Sequence, residues 1–286
     1  MKGFVKMRNY RTGFVAAAIV AALISFVAVP SGIAQEGEGG GGQRAKSPRV
    51  MPPIPRLSDG TPSLGWVDPK ERGIWRPDRL HRDFSKFLLD RKEEGIPFQP
   101  WSKALYEYRI KTEQKDDPEG FCLPPGGVGA TSNRTAAPWE FVQMPQQKRI
   151  IRVFEGETNT WQIIYMDGRP HPQDAYDIPT WMGHAVGHWE GDTLVVDTVG
   201  FNEGHWLNQM GLVRTNFHHV TERFTRIDYD TLRWEATIDD PGAYTRPWRI
   251  GWDIKWGLGE SIQEIICQEN NTWPDRHRTT VLSEEQ

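Results

Sequence analysis

Two histidines and one glutamate are the side chains whose types and spacing best suit acid–base chemistry in this sequence. If residues 219–228 are extended, Glu222 shares a face with Val220 and Phe224. A carboxylate on that apolar face must be paired or have a raised pKa. Close to His184 or His219 it would form a general base with an acid partner. A structural ion pair without catalysis fits the same residues at least as well.

The histidine spacing argues against a metal centre. His184 and His188 are four residues apart, which in a strand separates them by about 13 Å. His205, His218 and His219 could add ligands from the long connection, so a zinc site is the alternative to ordinary hydrogen-bonded histidines at the barrel mouth. No glycine-rich phosphate loop follows a strand. We therefore expect no metal and no cofactor.

Tryptophan is abundant, with 13 residues in a chain of 286. Some must be core, and the surplus favours a surface for an apolar or ring-bearing ligand. The candidate ligand-binding residues are Trp181, Asn202, Trp206, Tyr244 and Trp248. A solid core would use the same aromatic residues equally well.

The elements that must position these residues are mostly β-strands. From Trp248 to Trp256 every second residue is Trp or Ile, which is typical of a strand with one buried face. Two long connections, 167–183 and 200–218, interrupt the pattern. The predicted strands are 139–143, 148–155, 160–166, 184–190, 193–199, 219–228, 231–239, 248–256 and 261–268.

This pattern predicts an all-β fold, a single antiparallel lipocalin-like barrel or strongly curled sheet of eight or nine strands. One flanking helix is predicted over 99–115, with Trp101, Ala104, Leu105 and Tyr108 on its apolar face. A ligand would enter the barrel mouth between the two long connections.

The N-terminus predicts export. Four basic residues precede an apolar run, and small residues follow up to Ala34, so we expect a signal peptide over 1–34. A retained membrane anchor is the alternative. A flexible linker and extended arm would cover 35–96, and the helix and barrel 97–286.

The net charge and the two cysteines restrict the classes of binding partner and the cellular compartment that the sequence favours. The full chain carries −4 and its first 34 residues carry four positive charges, so the remainder carries −8. Such a chain favours neither nucleic acid nor stable membrane insertion once the signal is removed. Cys122 and Cys267 would form a disulfide in a periplasmic or secreted protein, with two buried free thiols as the alternative.

Several short motifs occur together in the second half of the chain and before it. They are Gly183-His184, Gly187, Trp189–Val196, Thr198, Phe201-Asn202, His219, Glu222–Phe224, Asp239–Pro241, Tyr244, Pro247-Trp248, Cys267, Glu269–Asn271, Cys122 and Pro124–Gly126. In these residues the chain resembles a group of exported bacterial proteins with a lipocalin-like barrel and no established function. The resemblance covers most of residues 97–275 and implies no catalytic role for any residue.

Three functions are compatible with these features. The first is an exported protein that binds a small hydrophobic or aromatic molecule in a barrel cavity. The second is a cofactor-free hydrolase, isomerase or lyase that acts on such a molecule with a Glu/His pair. The third is an envelope-associated structural module without a ligand. The sequence leaves the ligand and the oligomeric state open.

Overall fold

Nine strands form a closed barrel in the computed structural model, which describes residues 51–77, 82–131, 137–156 and 159–276. The strands are β1 (Gly73–Arg76), β2 (Trp139–Met144), β3 (Arg149–Phe154), β4 (Trp161–Tyr165), β5 (His184–Glu190), β6 (Thr193–Val199), β7 (His219–Arg226), β8 (Thr231–Asp239) and β9 (Trp248–Leu258). The helices are α1 (Pro100–Lys111) and α2 (Val128–Thr131). The predicted all-β barrel with a flanking helix is confirmed. The signal peptide (1–34) and the start of the linker (35–50) lie outside the described residues.

The alternating side chains of β8 and β9 fill one wall of the interior. In β9, Trp248, Ile250 and Trp256 point inward and are buried, as the period of two predicted. Trp234 of β8 lies opposite Trp252 of β9, and their ring centroids are 4.4 Å apart. Cross-strand aromatic pairs of this kind stabilise a sheet and fix its register.

The barrel closes through β1, in a segment that the sequence assigned to the arm. Ile74 pairs with Gly257 of β9, and Trp75 pairs with both Trp256 of β9 and Trp139 of β2. The strand predicted over 261–268 is wrong, because β1 already occupies this edge of β9. Gly259, at φ +80°, turns the chain away from the sheet.

One joint of the barrel is parallel, which departs from the predicted all-antiparallel order. Strands β4 and β5 pair only through Ile164 with Ala185 and Tyr165 with Val186. The long connection 166–183 carries the chain back along the wall before β5 begins, so β5 runs in the same direction as β4. This short joint leaves the wall between β4 and β5 weakly paired.

Helix α1 lies where the sequence placed it, but its predicted apolar face is wrong. Trp101 and Tyr108 are 48% and 49% exposed, whereas Ser102 is fully buried. The Ser102 hydroxyl donates to the carbonyls of Gln99 and Ala243. A small side chain lets the helix approach the loop before β9 closely. Of the predicted apolar face only Leu105 packs against the core, next to Tyr106, whereas Trp101 and Tyr108 face outward.

Helix α2 fills the barrel mouth through which a ligand was expected to enter. All four residues of α2 are buried. A Cβ on Gly127 would lie 2.7 Å from Phe201, and one on Gly129 would lie 2.3 Å from His205. The glycines thus let α2 pack directly under the 200–218 connection, and this end of the barrel is closed.

The predicted disulfide is confirmed. Cys122 and Cys267 are joined with their Cα atoms 5.5 Å apart and 145 residues apart in sequence. The disulfide covalently links the segment after β9 to the segment before α2. None of the helices described is long and apolar enough to cross a membrane.

A buried ion pair lies inside the barrel. Arg152 of β3 donates to Glu222 of β7 over 2.9 Å, and both side chains are fully buried. The second oxygen of Glu222 accepts from Thr131 of α2 and from the indole of Trp234, each at 2.9 Å. These three donors satisfy the carboxylate, as a buried charge requires.

Aromatic rings enclose the guanidinium of Arg152. Its central carbon lies 4.8 Å from the ring centroids of Phe154 and Phe224 and 5.2 Å from that of Trp139. Ring faces attract a cation at these distances. The core therefore contains a positive charge held by Glu222, by the side chains of Gln162 and Thr131 and by the surrounding rings.

We expect Glu222→Leu to lower the free energy of unfolding by about 3–5 kcal/mol, because it leaves Arg152 buried and unpaired. Adding Arg152→Met should recover more than half of the loss, since both charges are then absent. Urea unfolding followed by circular dichroism measures both effects.

The matched control is the exposed pair of Arg233 and Asp253 on the outer face of β8 and β9. Asp253→Asn should cost no more than about 1 kcal/mol. If Glu222→Leu costs no more than this control, the buried pair does not stabilise the core as described.

Candidate functional site: a histidine–aspartate chain beside an aromatic cleft

The predicted acid–base pair of Glu222 with His184 or His219 is wrong. Glu222 points into the barrel, whereas His184 and His219 lie on its outer face, half-buried. Residues 219 and 222 are three apart in one strand, so their side chains leave opposite faces. Glu222 is moreover bound to Arg152, so it is the structural ion pair that the sequence left as the alternative.

The outer face carries a different polar group, which we call the histidine–aspartate chain: His184, His171, Asp197 and His219. Nδ1 of His184 lies 2.9 Å from Nδ1 of His171. Nε2 of His171 lies 2.7 Å from one oxygen of Asp197, and Nε2 of His219 lies 2.7 Å from the other. Strands β5, β6 and β7 and the 166–183 connection thus contribute to one continuous row of hydrogen bonds.

The carboxylate at the centre of this chain is ionised near neutral pH. Burial raises the pKa of Asp197, but hydrogen bonds from His219 and His171 outweigh it and lower this pKa to about 2. The hydrogen bond to Asp197 in turn raises the pKa of His219. Asp197 therefore accepts hydrogen bonds, and the Nε2 atoms of His171 and His219 donate them.

His184 has the opposite environment. Burial lowers its pKa, and the nearby His171 and Arg169 lower it further. Its ring stacks on Tyr165 with centroids 5.2 Å apart. The guanidinium carbon of Arg169 lies over the Tyr165 ring, 4.0 Å from its centroid. His184 is thus held as a neutral, oriented imidazole at the end of the chain.

An apolar cleft opens next to His184. It has a volume of 640 Å³ and lies between the outer face of β4 and the 166–183 connection. Small-molecule sites typically measure about 300–1,000 Å³. Trp161 and Ile178, 63% and 67% exposed, line it together with Trp181 and Met182. Exposed large apolar side chains that converge on one cleft mark a binding surface.

The floor of this cleft is connected to the barrel interior. Gln162 of β4 lines the cleft and donates from Nε2 to the carbonyl of Met182 over 3.0 Å. Its Oε1 accepts from the buried Arg152 over 3.2 Å. The Gln162 amide therefore spans the weakly paired joint of β4 and β5.

The five predicted ligand-binding residues do not form one pocket. Trp181 lines the cleft. Trp206, Tyr244 and Trp248 are buried in the packed interior, and the Tyr244 hydroxyl donates to the carbonyl of Val213. Asn202 lies in the loop after β6 and accepts from the backbone of Gly204. Three of the five thus serve packing, and Asn202 shapes its loop.

A second cleft of 640 Å³ lies beside the disulfide. Its walls carry mainly polar and charged side chains, among them Glu113, Asp117, Glu269 and Arg276. It lacks a converging set of exposed aromatic residues and an oriented imidazole. We therefore take the cleft beside His184 as the candidate site.

The described residues contain no group of three or more His, Cys, Asp or Glu side chains arranged to hold a metal ion. In the histidine–aspartate chain both oxygens of Asp197, both ring nitrogens of His171, Nδ1 of His184 and Nε2 of His219 are used in hydrogen bonds to one another. Its geometry suits proton positioning instead.

Sequence reasoning missed His171, Asp197 and Trp161. A local signal existed for Asp197, because the tight turn after Glu190 fixes the register of β5 and β6. That register places Asp197 opposite Val186, one outward position from His184. No local signal existed for His171, whose loop returns to the sheet only in the tertiary structure.

Comparisons of the chain with protein-family models, with curated proteins and with solved structures find no match. The resemblance to exported bacterial barrel proteins therefore stays a prediction. The fold and the site define a closed nine-stranded barrel with an aromatic cleft on its outer wall.

We expect Asp197→Asn to lower the pKa of His219 toward its ordinary value, about 6.5, because the charge that favours the imidazolium is lost. The raised pKa of His219 stabilises the fold below about pH 6.5, and this stabilisation is lost as the pH rises through the pKa of His219 in the folded protein. The lowered pKa of Asp197 stabilises the fold above about pH 4, and this stabilisation is lost as the pH falls toward 2. The loss of melting temperature should therefore be largest between about pH 4 and 6.5.

NMR titration of the imidazole Cε1–H signals and thermal unfolding at pH 5.5 and 8.5 measure these effects. His188→Gln is the control, since His188 is exposed on β5 and paired only with Glu190. An unchanged His219 pKa in the Asp197 variant would contradict the hydrogen-bonded chain.

Proposed function

We propose that this protein binds a small hydrophobic or aromatic molecule in the cleft between β4 and the 166–183 connection. The observation that carries the proposal is the convergence of the exposed Trp161 and Ile178 and the half-buried Trp181 on a cleft of 640 Å³. Burying such surfaces against an apolar ligand is favourable by about 25 cal/mol per Å². The site lies on the barrel wall and not in the lumen, where α2 and the aromatic core occupy the space.

We also propose that the chain is exported to the periplasm or secreted. The disulfide supports an oxidising compartment, and the basic and apolar pattern before Ala34 supports a cleaved signal. N-terminal sequencing of the protein purified from its host should then begin at Gln35. A start at Met1 would contradict cleavage.

The enzymatic alternative, a hydrolase, isomerase or lyase, would use His184 and not Glu222. A neutral imidazole oriented through His171 by an ionised Asp197 has the arrangement of a general base. Turnover of an aromatic ester or carbon acid that is abolished by His184→Gln would favour this function.

We expect Trp161→Ala to weaken the binding of naphthalene, used as a probe, by about tenfold, because large aromatic side chains dominate binding energy in such sites. Titration followed by the methyl NMR signals of Ile178 and Met182 measures the affinity and places the probe. Both side chains line the cleft.

Trp66→Ala is the matched control, because Trp66 is a similarly exposed tryptophan in the arm that does not line the cleft. It should leave the affinity unchanged. If naphthalene leaves the Ile178 and Met182 signals in place, the cleft does not bind aromatic molecules and the proposal fails.

A further inference from the structure

His184 presents one polar atom to an otherwise largely apolar cleft. Its Nδ1 is occupied by His171, and among the described residues its Nε2 has no hydrogen-bond partner. Because His184 lines the cleft, Nε2 is the ring nitrogen left for a bound molecule. A small number of placed polar groups in a mostly apolar site usually fixes the orientation of the ligand.

The chain of hydrogen bonds decides whether this nitrogen accepts or donates. The ionised Asp197 only accepts, so Nε2 of His171 carries a hydrogen. In a neutral His171 the other nitrogen, Nδ1, is then an acceptor, and Nδ1 of His184 must donate to it. Nε2 of a neutral His184 is therefore left with a lone pair that faces a ligand.

We infer that the cleft selects aromatic molecules that carry a hydroxyl group, and that this hydroxyl donates a hydrogen bond to Nε2 of His184. The inference rests on the proposed function, since it requires an aromatic ligand in this cleft. The ring would contact Trp161 and Ile178, and the hydroxyl would end at His184.

One added proton reverses this preference. The two Nδ1 atoms are 2.9 Å apart and share a single hydrogen, and Nε2 of His171 keeps its own for Asp197. A proton taken up by either ring therefore ends with a hydrogen on Nε2 of His184. At low pH Nε2 of His184 therefore donates a hydrogen bond to the ligand instead of accepting one. A hydroxyl and an ether oxygen both accept such a bond, so the cleft no longer distinguishes them.

Several charged and titratable groups face this pair. Tyr165 of β4 contacts the His184 ring. Arg169 of the connection acts on His184 electrostatically and is itself paired with Asp167. Asp197 and His219 face His171 from β6 and β7. Beside the hydrogen bond to Asp197, Asp239 raises the pKa of His219 electrostatically. Burial raises the pKa of Tyr176, and both Asp197 and Asp239 raise it further. Asp174 lines the cleft.

The test compares 2-naphthol with 2-methoxynaphthalene and naphthalene by ligand-observed NMR titration. At pH 8 we expect 2-naphthol to bind about fivefold more tightly than its methyl ether, the gain of one net hydrogen bond. As the pH falls and His184 takes up a proton, the ratio should approach one. The imidazole ¹⁵N shifts, which distinguish nitrogens with and without hydrogen, report that protonation directly.

Two variants separate the inference from general effects of substitution. His184→Leu should lose the preference for 2-naphthol, so that its affinities for 2-naphthol and 2-methoxynaphthalene become equal. His188→Leu changes a histidine on the same strand that lies outside the cleft, so the preference should persist. Retention of the preference in His184→Leu overturns the inference.

The two proposals fail in different ways. If none of the three probes binds, the proposed function fails, and the inference fails with it. If all three bind with equal affinity at pH 8, the aromatic site stands and the hydroxyl selection is overturned. A pyrrole-type ¹⁵N shift for Nε2 of His184 at pH 8 also overturns it.

Discussion

Closure of the barrel requires the charged groups inside it to neutralise one another, and the rest of the structure follows from this constraint. Arg152 and Glu222 pair across the lumen, and Thr131 and Trp234 supply the remaining donors to the carboxylate. These donors take three of the roughly four acceptor positions of the carboxylate, so Glu222 is committed to the ion pair. The interior therefore stabilises the fold, and the candidate site lies on the outer wall.

The parallel joint between β4 and β5 creates the candidate site on that wall. Because β5 runs in the same direction as β4, the 166–183 connection must travel back across the outer face. In doing so it brings His171 between His184 and Asp197 and places Ile178 and Trp181 opposite Trp161. The same joint leaves a gap that the Gln162 amide bridges between the cleft and the buried Arg152. One feature of the topology thus supplies both the polar and the apolar part of the site.

The sequence predicted the features that depend on neighbouring residues. Alternation with a period of two located strands β2–β9 to within a few residues and placed Glu222 inward, since strand geometry alone decides the face. It did not predict β1, whose four residues carry too short a pattern and gain strand structure only by pairing with β9. It failed for the apolar face of α1 because Ser102, and not Trp101, fits the close contact with the loop before β9.

By itself the sequence determined the barrel, the flanking helix and the candidate disulfide partners. It also singled out His184, His219 and Trp181, yet it could not show how they are combined. That was decided by contacts between distant residues, such as His171 with Asp197 and Arg152 with Glu222, which lie 26 and 70 positions apart. No local periodicity encodes such contacts, because they depend on strand order, on the path of a long loop and on which charge the closed interior can neutralise.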